Sequence, residues 1–124
     1  MSVTITLPWP ARGLFPNARS RMHWAEKGRA TKAARELAHW HAIASQAGTI
    51  KGAAALSVHV QFVPPDRRPR DTDNLVAACK GYFDGIASAC GVDDAKWTLT
   101  IERGQVAKPG CVIVTLSDAG KVAA

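Results

Sequence analysis

The sequence predicts an α+β domain: a small mixed four-stranded sheet with two helices on one face, in the order β-α-β-α-β-β. Three observations carry this. Short segments alternate apolar and polar residues at both ends of the chain and in its middle. Two longer segments repeat apolar residues at helical spacing. Proline and glycine punctuate the junctions between them. With 124 residues and 47% hydrophobic content, the chain reads as a single domain over 1-124 that buries a core of its own.

Val3–Leu7 sets Val3, Ile5 and Leu7 against Thr4 and Thr6, the pattern of a half-buried strand ended by Pro8 and Pro10. Residues 11–21 read as a loop carrying Arg12, Arg19 and Arg21, a candidate basic arm for phosphates. From Trp24 to Gln46 alanine is abundant and proline absent, and Ala33, Leu37, Trp40 and Ala44 recur at helical spacing as the apolar face, with Gly48 as the stop. Lys27, Arg29, Lys32 and Arg35 face outward. His39 and His41 do not have metal-ligand spacing.

Ala55–Val63 alternates again, with His59 on the polar side, and ends at Pro64 and Pro65. A helix follows from Asp71 or Thr72 to a stop at Gly91. At about 100° per residue, Asp73, Lys80 and Asp84 share its polar face, and Leu75, Cys79, Tyr82 and Ile86 the opposite one. Trp97, Leu99 and Ile101 mark a third strand. Cys111–Leu116 is apolar on both sides and is expected at the sheet's centre. Residues 117–124 read as a frayed tail.

Lys and Arg number 16 against 10 Asp and Glu, a formal charge of +6, which favours polyanionic partners. The stretch 64–97 nevertheless holds six of those ten acids. Asp71 and Asp73 stand two residues apart behind Arg67, Arg68 and Arg70; Asp93 and Asp94 follow the helix. Carboxylates so grouped in a basic chain suggest a hard divalent cation, Mg2+ first, with Asp71, Asp73 and Asp94 as the strongest ligands and Asp93 as their neighbour. Such an ion would polarise a phosphate and activate water. Lys80 would neutralise charge on phosphorus, and Asn74 would orient a carboxylate or a water. The bland alternative is that the acids cap a helix and favour its dipole by about 0.3–1 kcal/mol. Cys79, Cys90 and Cys111, odd in number and without metal spacing, read as buried thiols of a reducing compartment, so a cytoplasmic location is expected. No apolar run is long enough for a membrane span, and no secretory signal opens the chain.

The strings ITLPWP, PDRRPRDTDNL and DDAKW, with Lys80 and Asp84 four apart, resemble the RusA-type Holliday-junction resolvases of phages and prophages. The resemblance covers the 34 residues from 64 to 97 and the N-terminal strand. It implies a RusA-like α+β homodimer that binds four-way DNA junctions and makes paired symmetric nicks with Mg2+ or Mn2+, without an organic cofactor or a membrane. Carried over, Asp71, Asp73 and Asp94 hold the metal and Lys80 is the catalytic lysine. Lys80 stands about three residues further along than in some members, about 4.5 Å along the helix axis. Arg67, Arg68, Arg70, Asn74, Lys96, Arg19, Arg21 and Lys27 are the candidate DNA contacts. The rival expectations are a catalytically inactive DNA-binding module, a metal-dependent nuclease of other branched DNA, and a small structural protein.

Overall fold

In the computed structural model, which describes residues 2–119, four strands form one sheet in the order β1-β4-β2-β3. They are β1 (Ser2–Pro8), β2 (Leu56–Val63), β3 (Trp97–Arg103) and β4 (Cys111–Asp118). β4 pairs antiparallel with both β1 and β2, and β3 runs parallel to β2. The expected mixed sheet is therefore present. The strand that is apolar on both sides lies at its centre, where neighbours on both edges exclude water.

Period-two alternation fixes which face is covered. Val3, Ile5 and Leu7 align with Leu116, Val114 and Val112, which align with Val58, Val60 and Phe62. These side chains form a single core with Leu75, Tyr82 and Ile86. Removing each such aliphatic group from water contributes about 1.5–3 kcal/mol. The opposite face is mostly polar: Thr4, Thr6, Ser57, Thr98 and Thr100 line it with Ile113 of β4 among them, and His59 Nε2 meets Glu102 Oε1 at 3.0 Å.

The helical layer differs from the expectation of two helices: the described residues contain four, α1 (Pro16–Arg19), α2 (Trp24–Ala44), α3 (Thr72–Ala78) and α4 (Lys80–Cys90). The stretch expected as a plain loop at 11–21 contains α1, started by Pro16 at its first turn. α2 begins where His23 Nδ1 accepts from the Ala25 N–H at 3.2 Å. It ends two residues early, with Gln46 and not Gly48 in the left-handed region at φ 70°. The helix expected from 71 to 91 divides at Cys79, whose φ of −94° and ψ of 4° let its N–H bond to the Val76 carbonyl three residues back. Gly91 ends α4 at φ 73°, as expected of a glycine there.

The face that α2 buries also differs. Ala34, Ala38 and Ala42 point inward, while Leu37 and Trp40 are exposed. The reason lies on α4. A side chain at Gly85 would run into the Arg35 carbonyl, and one at Gly81 would come within 3.1 Å of Ala34 Cβ. The two helices approach so closely that only alanine fits between them. Tyr82 then ties α4 to the end of β1 by donating its hydroxyl to the Pro8 carbonyl at 2.9 Å, and burial raises its pKa to about 12.

The sheet continues through Ser117 and Asp118, where the sequence suggests a frayed tail; residues 120–124 of that tail lie outside the described residues. All three cysteines are free. Cys79 and Cys90 are buried and Cys111 is half-buried. Burial raises the Cys79 thiol to about 12, too high for a thiolate nucleophile near neutral pH. No helix among the described residues is long and apolar enough to cross a membrane.

Candidate active site and nucleic-acid groove

Between the loop after β1 and the loop after β2 lies a groove of about 1260 Å3. Arg12 and Arg21 line one wall, and Arg68, Asp71 and Asn74 the other. Its floor is aromatic. Trp9 stacks on Phe15 with ring centroids 6.2 Å apart and meets the buried Phe62 edge-on. Trp9 stands between Pro8, the last residue of β1, and Pro10.

Asp66 organises the second wall. Its carboxylate accepts the Arg68 N–H at 3.0 Å and the Arg70 guanidinium at 2.8 Å. Those donors, the backbone one foremost, hold its pKa below the ordinary carboxylate value. Arg70 also bonds to the Asp66 and Arg68 carbonyls and lies 5.2 Å from the centre of the Trp9 ring. Its side chain is 15% exposed. Arg70 is thus bound within the loop, whereas Arg67 and Arg68 point to solvent.

Asp71 precedes α3 in extended conformation, and its side chain makes no capping bond. No capping bond therefore holds this side chain, and Asp71 is an exposed residue of the groove lining. Asp73 is exposed in the first turn of α3, and Asn74 is half-buried beside the groove. Thr72 anchors the turn, because Arg103 at the end of β3 donates to its hydroxyl at 2.8 Å.

The second acidic pair occupies a 3-10 turn after α4, held by Trp97 Nε1 donating to the Val92 carbonyl at 3.0 Å. Asp93 accepts from the Ala95 N–H at 3.1 Å, which lowers its pKa, and a hydrogen bond with Asp94 lowers it further. That same bond is the main cause raising the Asp94 pKa; some desolvation and the charges of Asp93 and Asp84 add to it. The pair therefore holds a proton more tightly than two isolated carboxyls would. Lys96 is exposed in this turn.

The two acid sets are not drawn together into a cage. Among the described residues, no three His, Cys, Asp or Glu side chains stand close enough to hold a metal ion. The oxygen donors of Asp71, Asp73, Asp93 and Asp94 suit Mg2+ or Mn2+ in chemistry, but their arrangement does not fit a preformed ion site. Asp94 instead interacts with Asp93 and Asp84. Lys80 is exposed at the first turn of α4. The break at Cys79 separates it from Asp73, so the two do not share one continuous helix face.

Of the remaining expected contacts, Arg21 lines the groove, and Lys27 is half-buried on α2. Arg19 is engaged internally, donating to Thr31 Oγ1 at 2.8 Å and to the Lys27 carbonyl at 3.4 Å, which fastens α1 to α2. Trp9, Asp66 and Arg103 are not among the candidate site residues. Trp9 between two prolines was the available signal for the first; nothing in the spacing marks the others.

No family model matches the chain. The chain is 36% identical over 119 residues to an uncharacterized protein of Xylella fastidiosa, across 92% of this chain and 75% of that protein. Among solved structures it is similar to a thiamine-monophosphate kinase of Stenotrophomonas maltophilia, with a TM-score of 0.35 and 12% identity. That likeness covers 94% of this chain but spans only 30% of the kinase chain, and is too slight to carry an argument.

Proposed function

We propose that this chain, which belongs to the same family as the Xylella fastidiosa protein, is an endodeoxyribonuclease of branched DNA, acting on four-way junctions as a RusA-type homodimer. The observation that supports this best is the groove: a carboxylate without capping duty, Asp71, beside Asn74 and facing Arg12, Arg21 and Arg68. Arginines in such a groove grip phosphates and set the register of a strand without reading its bases. Asp71, with Asn74, then orients or deprotonates a water at the phosphodiester held there. Lys80 and Asp73 act from the adjoining turns, and Arg67 and Lys96 extend the phosphate-binding surface.

Dependence on Mg2+ or Mn2+ belongs to this proposal on the donor chemistry of Asp71, Asp73, Asp93 and Asp94 alone. The lack of a preformed ion site favours one rival, a DNA-binding module without catalysis. Labelled four-way junctions, flaps and linear duplex, each incubated with and without Mg2+ or Mn2+, separate the two. Paired nicks in the junction alone, only with metal, are expected. Binding without cleavage under every condition leaves the module, and equal cleavage of flaps makes the substrate branched DNA in general.

A further inference from the structure

The rings on the groove floor are not equally engaged. Arg70 lies over Trp9, Phe62 meets it edge-on, and Phe15 stacks on it. Among the described residues Phe15 makes one ring contact, with Trp9, and both rings are half-buried in the groove lining. The backbone of Phe15 is held on both sides. Its N–H donates to the Arg12 carbonyl at 3.1 Å, its carbonyl accepts from the Arg19 N–H at 2.9 Å, and Pro16 follows. A fixed turn therefore presents this ring. On the walls, the exposed guanidiniums of Arg12 and Arg21 make no hydrogen bond or ion pair among the described residues. Arg68 meets Asp66 at only 3.8 Å, with its side chain 78% exposed. Three arginines thus border an aromatic floor with their charge unspent.

We infer that the Phe15–Trp9 floor takes an unpaired base of a DNA strand by stacking, while Arg12, Arg21 and Arg68 hold the phosphates on either side of it. This rests on the reading of the groove as a nucleic-acid site and adds the state of the nucleotide it selects. Aromatic rings between basic walls are how single strands are bound, because every base has a π-face and every linkage a charge. A double helix keeps its bases stacked on one another and shows a protein only their edges. A stacking floor is of use only to a base that has left the helix, as at a branch point. The groove's volume of about 1260 Å3 exceeds the roughly 300–1,000 Å3 of small-molecule sites, which suits a length of strand. An apolar peptide would cover the rings and leave three arginines without anions. Glu26, which also lines the groove, would repel a phosphate but can accept from the N–H groups of a base. The fixed turn at Phe15 lowers the ordering cost of binding.

Fluorescence anisotropy with two labelled probes tests it: an oligothymidylate of about twelve nucleotides, within the range such sites span, and a strand of equal length built of abasic sites. The two carry the same phosphates, so they differ only in what can stack. The wild-type chain is expected to bind the abasic strand at least about fivefold more weakly. Phe15→Leu should bring the thymidine strand down towards the abasic one and leave the abasic affinity unchanged, and Phe15→Tyr should restore the difference. Equal binding of the two strands by the wild type would overturn the inference without recourse to any variant. So would a Phe15→Leu protein that keeps the full preference, or a wild type that binds duplex but neither strand. Metal-dependent nicking of a four-way junction, measured beside these, keeps the two readings apart. Nicking with equal strand affinities removes the stacked base and leaves the nuclease; base-dependent binding without nicking keeps the stacked base and removes the catalysis.

Discussion

Arg70 lies across Trp9, its guanidinium carbon 5.2 Å from the ring centre, while its Nη2 bonds to Asp66 at 2.8 Å. An arginine so enclosed supports the groove wall from behind. Arg70→Ala is expected to lower stability by about 1–2 kcal/mol, the ion pair being discounted for the partial exposure of Asp66. Arg67→Ala should move stability by less than about 0.5 kcal/mol yet weaken DNA binding and reduce its salt slope by about one. Urea denaturation beside a salt series of binding isotherms distinguishes the roles. Equal stability losses for the two variants would refute this division.

The Asp66 clasp also predicts acid behaviour. Its folded-state pKa lies below the unfolded value near 3.8, so the folded state binds its proton more weakly. The stabilisation is then present above that value and is lost as pH falls through the lower, folded one. At pH 7, Asp66→Asn should melt below the wild type, and the two should converge as pH falls through the lowered, folded-state pKa of Asp66. A gap that persists undiminished into strong acid would contradict the assignment.

At Gly85 the groups in the way are backbone, the Arg35 carbonyl and the His39 N–H, and no rotamer change can yield. Gly85→Ala is therefore expected to cost about 1–3 kcal/mol as the helices are forced apart. Gly28, also in a helix but with open space around it, is the control. Gly28→Ala should stabilise by about 0.5–1 kcal/mol. Thermal melts of both variants check the contrast.

Asp94 owes its raised pKa first to the hydrogen bond with Asp93. Asp93→Asn removes that acid and its charge, so the Asp94 carboxyl should titrate at lower pH, as a carbon-detected NMR titration would record. An unmoved or higher midpoint would mean that Asp84 and burial dominate.

The strands were legible because alternation is a local property. Thr4 and Thr6 interleave with Val3, Ile5 and Leu7 wherever the chain goes, and the two-sided apolar run at Cys111–Leu116 marks a strand between two others. α2 was harder, since it carries two apolar stripes. Ala33, Leu37, Trp40 and Ala44 are the more hydrophobic, but Ala34, Ala38 and Ala42 pack, because Gly81 and Gly85 on a distant segment admit only small residues. Those two glycines, four apart, were the available signal. The break at Cys79 rests on a single shifted hydrogen bond and leaves no mark in the residue types. Arg70 and Arg67 look alike in sequence; only the position of Trp9 separates them. The acids themselves were evident, but which of them face one another is set by the turn at Val92–Lys96.

The most direct measurement is cleavage and binding of a labelled four-way junction by Asp71→Asn, with Asp73→Asn beside it, in the presence of Mg2+. A nicking rate at least about a hundredfold lower, with junction affinity kept or strengthened by removal of a negative charge near phosphate, is the result expected. Nicking at the wild-type rate by Asp71→Asn would contradict the groove as the active site.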